Sequence, residues 1–369
     1  MDYRLDLDAV ALALDAAERR CWLFDNMPLD PLHRDWLRER AWVRTVHGTT
    51  RIEGNTLNGL EVEQLLEGST GRGLPRKDAL EVLGTRTALE FADGLATVPD
   101  VPINEALIRE THRRILAGQS ELLTPGEYRR GENRVGGPDG EIVFTTPPSG
   151  DVPELMREFA AWLRTDHGLP APVRAGLAHL EFVAIHPFND GNGRTARVIA
   201  RQLLIRGGYG LDGLVSLDAH LDLHRSEYFG AIRSSIGRSY EPGYDATPFV
   251  AFFLEAFSSA ADHLLERIRG LGNVQISVRR DVVEGGLVPP MLDALLYAWI
   301  NRSLRPADYQ RITGRPPSTA TRDLAQAVEL GYLEPVGERR SRWYRLGERL
   351  RETPAVDEPA DPRQLVPRV

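Results

Sequence analysis

The sequence predicts a mainly α-helical protein with one β-hairpin in its middle and a second, smaller helical module near its C-terminal end. Three observations predict this. Apolar residues recur at spacings of three and four through most of the first 270 positions, as in helices that bury one face. Convincing β character in that region is confined to Tyr128–Pro148. After about residue 290 the pattern changes to helix, short helix, helix and hairpin.

In order, residues 1 to about 45 read as helical through Val10, Leu12, Leu14 and Ala17, then Trp36, Leu37, Trp42 and Val43, with the turn Met27-Pro28-Leu29-Asp30-Pro31 between. Thr49-Thr50-Arg51-Ile52-Glu53-Gly54-Asn55 reads as a short helix that Gly54 ends, with Thr49 and Glu53 on one side at i and i+4. Asn58-Gly59-Leu60-Glu61 has the form of a capping box opening a helix with Leu65 and Leu66 inward. A loop over Gly71–Pro75 follows. Ala79–Leu95 and Asn104–Leu116 predict two further helices, the second through Leu107, Ile108, Thr111 and Ile115. Val135 and Ile142-Val143-Phe144 flank Gly136-Gly137-Pro138-Asp139-Gly140, which is hairpin punctuation. Segments starting at Leu217-Asp218-Ala219-His220, Arg225 and Thr247 predict later helices.

In the last module Leu292–Ile300 is a helix, Pro306-Ala307-Asp308-Tyr309 starts a short one ending at Gly314, and Ser318 caps a third with Leu324, Ala327, Val328 and Leu330 inward. Gly331-Tyr332-Leu333 and Trp343-Tyr344-Arg345-Leu346 form strands around a wing. This is the order of a winged helix. From Asn301 to Arg351 there are 11 Arg against 6 Asp plus Glu, a local excess of 11 − 6 = 5. That favours phosphate-backbone contact with DNA through Thr319, Thr321 and Arg322 on the third helix and Arg339, Arg340 and Arg342 in the wing. The plainer alternative is a module for dimerisation or target docking. The Pro- and acid-rich residues after about Glu352 predict a loose tail.

Composition sets limits. A chain of 369 residues with 42% hydrophobic and 27% charged residues has room for two or three globular modules. No apolar run reaches the length of a membrane span, and Met1-Asp2-Tyr3-Arg4-Leu5-Asp6 lacks a secretory profile. The lone Cys21 excludes an internal disulfide, so a reducing cytoplasm is the expected setting. The net charge of −8 argues against a chain that coats nucleic acid throughout. Lys77 is the one lysine among 45 basic residues, which suggests a GC-rich coding sequence and hence a bacterium.

The densest chemistry lies in His186-Pro187-Phe188-Asn189-Asp190-Gly191-Asn192-Gly193-Arg194-Thr195-Ala196-Arg197. Ala175, Ala178, Phe182 and Ile185 predict a helix over Arg174–Ile185 with one buried face, ended by Pro187. Ala196, Ile199, Ala200 and Leu203 predict a second helix from near Gly193 to Gly207-Gly208, with Arg194, Arg197 and Arg201 on another face. The loop between them carries two glycines and feeds a helix N-terminus, whose N–H groups and dipole suit an anion. Arg194 and Arg197 add guanidinium forks for phosphate oxygens. Asp190 beside them makes sense if Mg²⁺ bridges it to bound phosphates. His186, with an ordinary pKa of about 6.5, suits proton acceptance near neutrality. Separately these are a packing histidine, an ordinary turn and a solvated arginine face; together, within twelve residues, they point to nucleotide-dependent group transfer.

The twelve residues resemble, without a mismatch, the signature of the Fic-domain family, His-x-Phe-x-(Asp/Glu)-Gly-Asn-Gly-Arg-x-x-Arg. Most members transfer AMP from ATP to a hydroxyl of a target protein. The resemblance implies an all-helical Fic core with His186 as general base, Asp190 as Mg²⁺ ligand and Phe188 as core anchor. It implies phosphate contacts from Asn189, Gly191, Asn192, Gly193, Arg194 and Arg197, the last at the γ-phosphate. The hairpin would be a flap that pairs with an extended target segment through Val135, Ile142, Val143 and Phe144, with Arg129 and Arg130 at its base as minor phosphate contacts. Thr49, Glu53 and Gly54 resemble the family's inhibitory motif, (Ser/Thr)-x-x-x-Glu-(Gly/Asn). Its carboxylate would pair bidentately with Arg197 and deny that charge to ATP.

The expected organisation is an N-terminal helical region over 1–110, a catalytic domain over 111–270, a winged helix over 275–351 and a tail over 352–369. The expected function is an autoinhibited protein adenylyltransferase using ATP and Mg²⁺ on a protein target. Alternatives are a DNA-binding regulator that senses nucleotide through the Fic domain, or a hydrolase that removes AMP; a homodimer is a further expectation.

Overall fold

The computed structural model describes residues 1–68, 70–98, 100–136, 142–165, 167–338 and 342–351. They form two compact units, one of residues 1–25 with 41–261 and one of residues 26–40 with 262–351.

The first unit is helical: α1 (Leu7–Asp25), the later part of α2 (Pro31–Ile52), α3 (Gly59–Leu66), α4 (Arg76–Ala96), α5 (Glu105–Ile115), α6 (Val152–Arg164), α7 (Ala171–Ile185), α8 (Asn192–Arg206), α9 (Leu217–Leu223), α10 (Arg225–Ile236) and the start of α11 (Thr247–Val283). Four short strands accompany them. β1 (Tyr3–Arg4) pairs in parallel with β4 (Tyr244–Asp245), and β2 (Arg134–Gly136) pairs antiparallel with β3 (Ile142–Thr145) in the expected hairpin. Of the turn expected over Gly136–Gly140, residues 137–140 lie outside the described residues.

At the centre is α7, which the sequence reading gave one buried face. Instead Val173, Ala175, Leu177, Ala178, Leu180, Phe182, Ala184 and Ile185 are all buried, so the helix is wrapped on every side. It packs against α6 and α8, and a Cβ at Gly176 would touch the Phe253 ring at 3.4 Å. Helix α6 is absent from the sequence reading, although Met156, Phe159, Ala160 and Leu163 carry the spacing that predicts it. On helix α8 Arg194 and Arg197 are buried, and Arg201 forks onto Asp93, with Nε–Oδ1 at 2.8 Å and Nη2–Oδ2 at 2.7 Å.

The predicted capping box at Asn58 is present: its side chain accepts from Leu60 and Glu61 N–H at 3.0 Å, and Glu61 accepts from Asn58 N–H at 2.9 Å. Glycine sets one close approach here. At Gly84, on α4, a Cβ would lie 2.4 Å from the Ile115 carbonyl at the end of α5. Leu12, read as part of an apolar pattern, is 85% exposed.

The second unit contains the early part of α2, the end of α11, α12 (Met291–Asn301), β5 (Ser303–Leu304), α13 (Pro306–Thr313), α14 (Pro317–Glu329), β6 (Leu333–Val336), β7 (Trp343–Leu346) and α15 (Glu348–Arg351). The sheet is antiparallel in the order β5-β7-β6. Ser318 does not cap α14; the helix begins at Pro317, whose fixed φ suits the first helical position, and no side chain caps it. Asp323 on α14 is buried, accepting from Tyr309 Oη at 2.8 Å and pairing with Arg315 at 3.1 Å.

The basic excess of this segment is largely spent inside the unit. Arg345 and Arg351 pair with Glu334, Arg349 with Asp281, Arg311 with Asp308 and Arg315 with Asp323. Thr319 is half-buried, while Thr321, Arg322 and Arg342 are exposed; Thr321 spends its hydroxyl on Pro317 O at 2.9 Å. Arg339 and Arg340, and the expected tail, lie outside the described residues. No helix among the described residues is long and apolar enough to cross a membrane.

Candidate active site

The site is built where α7 ends and α8 begins. Helix α7 closes on His186, which takes left-handed backbone angles (φ 51°, ψ 58°), an unusual conformation for a residue with a side chain. Its Nδ1 donates to the Val183 carbonyl at 3.3 Å, which leaves Nε2 as the unprotonated nitrogen of the neutral ring. Burial lowers the His186 pKa to about 4, against opposing pulls from the Val183 carbonyl and Glu53. The ring is therefore neutral at pH 7 and can accept a proton at Nε2.

The loop that follows is locked from within. Asn192 Oδ1 accepts from Phe188 N–H and its Nδ2 donates to Phe188 O, both at 2.9 Å. The Phe188 ring is buried and stacks on His112 at 3.6 Å. His112, which the sequence reading did not single out, accepts from Gly126 N–H at 2.8 Å and donates from Nε2 to the Asp190 carbonyl at 2.9 Å. Burial lowers its pKa to about 4, so it is a neutral pin for the Asp190 backbone. Its place on the apolar face of α5, next to Thr111 and between Ile108 and Ile115, was the available signal.

Arg129 is the second pin. Its Nε donates to His186 O at 2.9 Å, Nη1 to Gly131 O at 3.1 Å and Nη2 to Pro147 O at 2.5 Å. A guanidinium spent on three carbonyls is a clamp on the loop, which corrects its expected phosphate role. Arg130 is exposed and pairs with Glu127 at 3.4 Å.

Gly191 caps α8 with φ 73°, a backbone angle that favours glycine. Its N–H donates to Asp190 Oδ1 at 2.6 Å. Arg194, 1% exposed, reaches Asp190 Oδ1 at 3.5 Å, while its Nε and Nη1 are buried with no hydrogen-bond acceptor among the described residues. Buried guanidinium nitrogens without partners are costly, and an anion over the first turn of α8 would satisfy them. Asp190 stands beside that place. Among the described residues no three His, Cys, Asp or Glu side chains gather as a metal cage, so a cation at Asp190 would draw its other ligands from phosphate and water, as Mg²⁺ does. The Asn192 side chain is committed to Phe188, so only its backbone N–H could face an anion. Asn189 is exposed and donates to Thr124 Oγ at 3.1 Å.

The anion place is lined by Glu53. A Cβ added to Gly193 would stand 2.3 Å from Glu53 Oε1, so the carboxylate lies directly against the first turn of α8. Arg197 Nη2 donates to Glu53 Oε1 at 2.8 Å and to Thr49 O at 2.9 Å, Nε donates to Thr49 Oγ at 2.7 Å, and Nη1 to Tyr228 Oη at 3.4 Å. The contact to Glu53 thus uses one nitrogen, not the bidentate fork expected, because Thr49 and Tyr228 hold the other donors. Glu53 also sits just past the last turn of the 22-residue α2, not within a short helix of its own, with Gly54 at φ 95°. Burial alone would lower the Arg197 pKa, but Glu53, Tyr228 and Asp218 outweigh it and raise it, so the cation is fixed. Tyr228 bonds His179 Nε2 at 2.9 Å. The sequence marks Asp218 and Tyr228 only as positions in later helices, and nothing in it sets His179 apart as part of the site.

A model of the Fic/DOC family matches residues 102–204, which contain the whole of this loop. The chain carries a Fic/DOC-family domain. Proteins named protein adenylyltransferase Fic are similar to it: that of Drosophila ananassae is 35% identical over 177 residues, 47% of this chain and 34% of that one, and that of Aedes aegypti is 34% identical over 176 residues, 46% and 34%. The chain spans about a third of the length of these curated relatives. The crystal structure of a Fic domain containing signaling protein from Bacteroides thetaiotaomicron VPI-5482 has a TM-score of 0.59 at 26% identity, over 71% of this chain and 97% of that one. A Fic family protein from Desulfovibrio desulfuricans G20, at 24% identity, shares the fold with a TM-score of 0.59 over 94% of this chain and 98% of that one.

In the Fic domain's hairpin, Val135 faces Phe144 in register. Phe144 is 5% exposed, so its side chain belongs to the core and is not a docking surface, as alternation along a strand requires when Val143 is the outer position. The Ile142 side chain, also expected on the flap, lies outside what the structure describes. Thr145 is already paired beyond β2: its N–H donates to Arg238 O at 2.8 Å and its O accepts from Tyr240 N–H at 3.0 Å.

Proposed function

We propose that the chain is a protein adenylyltransferase that moves AMP from ATP to a hydroxyl side chain of a target protein and is held in check by Glu53. One observation carries the reading: the Glu53 carboxylate rests on Gly193 and bonds Arg197, while the neighbouring Arg194 is buried with two nitrogens free of acceptors. The triphosphate would lie over the first turn of α8 with its anionic oxygens on the backbone of Gly191 to Gly193 and on Arg194. Its terminal phosphate requires Arg197, so Glu53 and that phosphate compete for the same cation. Asp190 would hold Mg²⁺, which when bound supplies charge neutralisation for the phosphates.

His186 Nε2 takes the proton of the incoming hydroxyl. The hydroxyl oxygen bonds to the α-phosphorus as the bond to the bridging oxygen breaks, and pyrophosphate leaves with that electron pair. The target segment would add along β3 near Val143, because the edge at Thr145 is taken. Labelled ATP with Mg²⁺ and a host lysate tests this. The Glu53→Gly protein should transfer label about 10- to 100-fold faster than the parent, the range expected for removing one partly screened charge-assisted bond. His186→Ala on that background should abolish transfer. A folded Glu53→Gly protein that transfers nothing would refute the reading.

A second reading concerns the C-terminal unit alone. The order α12, β5, α13, α14, β6, β7 and the exposure of Thr321, Arg322 and Arg342 favour a winged helix that contacts DNA. The internal pairing of five arginines makes that contact a weak one.

A further inference from the structure

Arg197 meets two carboxylates, and they are not equivalent. Glu53 stands beyond the end of α2 with 30% of its side chain exposed. Asp218 lies in the first turn of α9, 11% exposed, with Oδ1 3.4 Å from Arg197 Nε. The Thr49 hydroxyl joins the two, accepting from Arg197 Nε at 2.7 Å and bonding Asp218 through its own hydrogen. The next cation acting on Asp218, Arg201, forks onto Asp93, so Arg197 is the stronger of the two partners of Asp218.

The backbone around Asp218 is fixed as well. At Gly48, α2 passes so close to α9 that a Cβ would stand 2.7 Å from both Asp218 O and Ala219 N. Ser216 caps α9 by accepting from Ala219 N–H at 3.2 Å. Glycine at 48 is what lets the two helix ends meet and brings Asp218 to Arg197.

We propose that Asp218 is a positioning residue, the standing counter-ion that keeps the Arg197 guanidinium aimed over the first turn of α8 when Glu53 is gone. The inference rests on the proposed function for the identity of the ligand, but its geometry stands without one. Arg197 is 4% exposed, and a buried cation stripped of its partner is strongly destabilising. Without Glu53, the contacts left besides Asp218 among the described residues are Thr49 and Tyr228. Both are neutral, the Tyr228 pKa being pushed up to about 12 by burial. With Asp218 also neutralised, the guanidinium gains by turning to other acceptors, and the aim is lost.

The test uses the full chain and two readouts. The first needs no nucleotide: melting temperatures of the parent, Glu53→Gly, Asp218→Asn and the double variant. Either carboxylate suffices to compensate one guanidinium, so the double variant should lose about 4 °C beyond the sum of the single losses. Additive losses would overturn the proposal, whatever the chain does with ATP. The second readout is the ratio of ATP to ADP affinity by calorimetry on the Glu53→Gly background. Asp218→Asn should cut the preference for ATP roughly tenfold, and Asp218→Glu should restore part of it. A general structural lesion would weaken both nucleotides alike and leave the ratio unchanged, and a bare gain of positive potential would raise it; either result refutes the positioning role. Failure of Glu53→Gly to label any protein, with the melting losses still more than additive, would sink the proposed function and leave Asp218 as the counter-ion.

Discussion

Acid should loosen this domain through its buried histidines. His112 and His179 are both fully buried and held neutral, with burial lowering their pKa values to about 4 and about 3. In the unfolded chain each titrates near 6.5. Below that pH the unfolded state binds protons that the folded state refuses, so stability falls with pH from about 6.5 downward until the folded-state values are reached. At pH 5 the difference is about 2 kcal/mol for each ring, or about 4 kcal/mol for the two. His47 and His186, also lowered to about 4, are less buried and add less. Glu181 and Asp218, whose carboxyls burial pushes up, act with the opposite sign. A comparison with His112→Phe cancels those carboxyls, since both chains contain them, and removes one histidine while keeping a ring against Phe188. Hydrogen-exchange protection of the α7–α8 peptides at pH 7 and pH 5, corrected for intrinsic rates, measures the effect. The parent should lose several hundredfold protection and His112→Phe about thirtyfold less than that. Equal protection at the two pH values, or an equal loss in both chains, would refute the claim that these rings are folded neutral.

Gly193→Ala places a methyl 2.3 Å from Glu53 Oε1 and 3.1 Å from Arg197 Nη1, so it evicts the carboxylate and fills the same space against phosphate. Unlike Glu53→Gly it should not raise labelling, and calorimetry should show ATP affinity lowered at least roughly tenfold, the usual scale of overpacking; tighter ATP binding would contradict the shared-space reading. For the C-terminal unit, anisotropy with labelled duplex DNA should show micromolar or weaker binding that falls with salt, with Arg322→Ala reducing the log–log salt slope by about 1. No binding at 50 mM salt would leave docking or dimerisation as the role of that unit.

What was legible in the sequence was what is local. The twelve-residue loop could be read because His186, Asp190, the glycines and both arginines fall within one turn and one helix start, and the Asn58 capping box spans four residues. What was hidden depends on partners far along the chain. His112 meets Asp190 across 78 positions and Arg197 meets Tyr228 across 31. Gly48 matters only because α9 arrives against it. Spacing alone left the arginines of α8 open to a plain reading as a solvated face, because periodicity cannot tell a charged stripe facing water from one facing a closed site; the glycines and Asp190 beside them pointed to phosphate. Glu53 and Arg197 stand 144 positions apart, and their meeting was expected by family resemblance; residue spacing alone gave only a capped helix end. Phe144 was misplaced on the flap surface because alternation gives two faces and does not say which one is inside.

The two signature arginines differ in a way that bears on how the brake works. Arg197 has every nitrogen engaged, by Thr49, Tyr228 and Glu53, whereas Arg194 keeps Nε and Nη1 buried without acceptors. An entering polyphosphate therefore gains Arg194 at once, with no bond to break. To gain Arg197 it must first displace a carboxylate that already has the helix N-terminus and the guanidinium. Since a bond to Glu53 is exchanged for a bond to phosphate, the net gain at Arg197 is small while the gain at Arg194 is whole. Glu53 should accordingly govern where the terminal phosphate lies more than whether nucleotide binds, so its removal should appear in the rate of transfer and in the preference for ATP over ADP, and only weakly in ADP affinity.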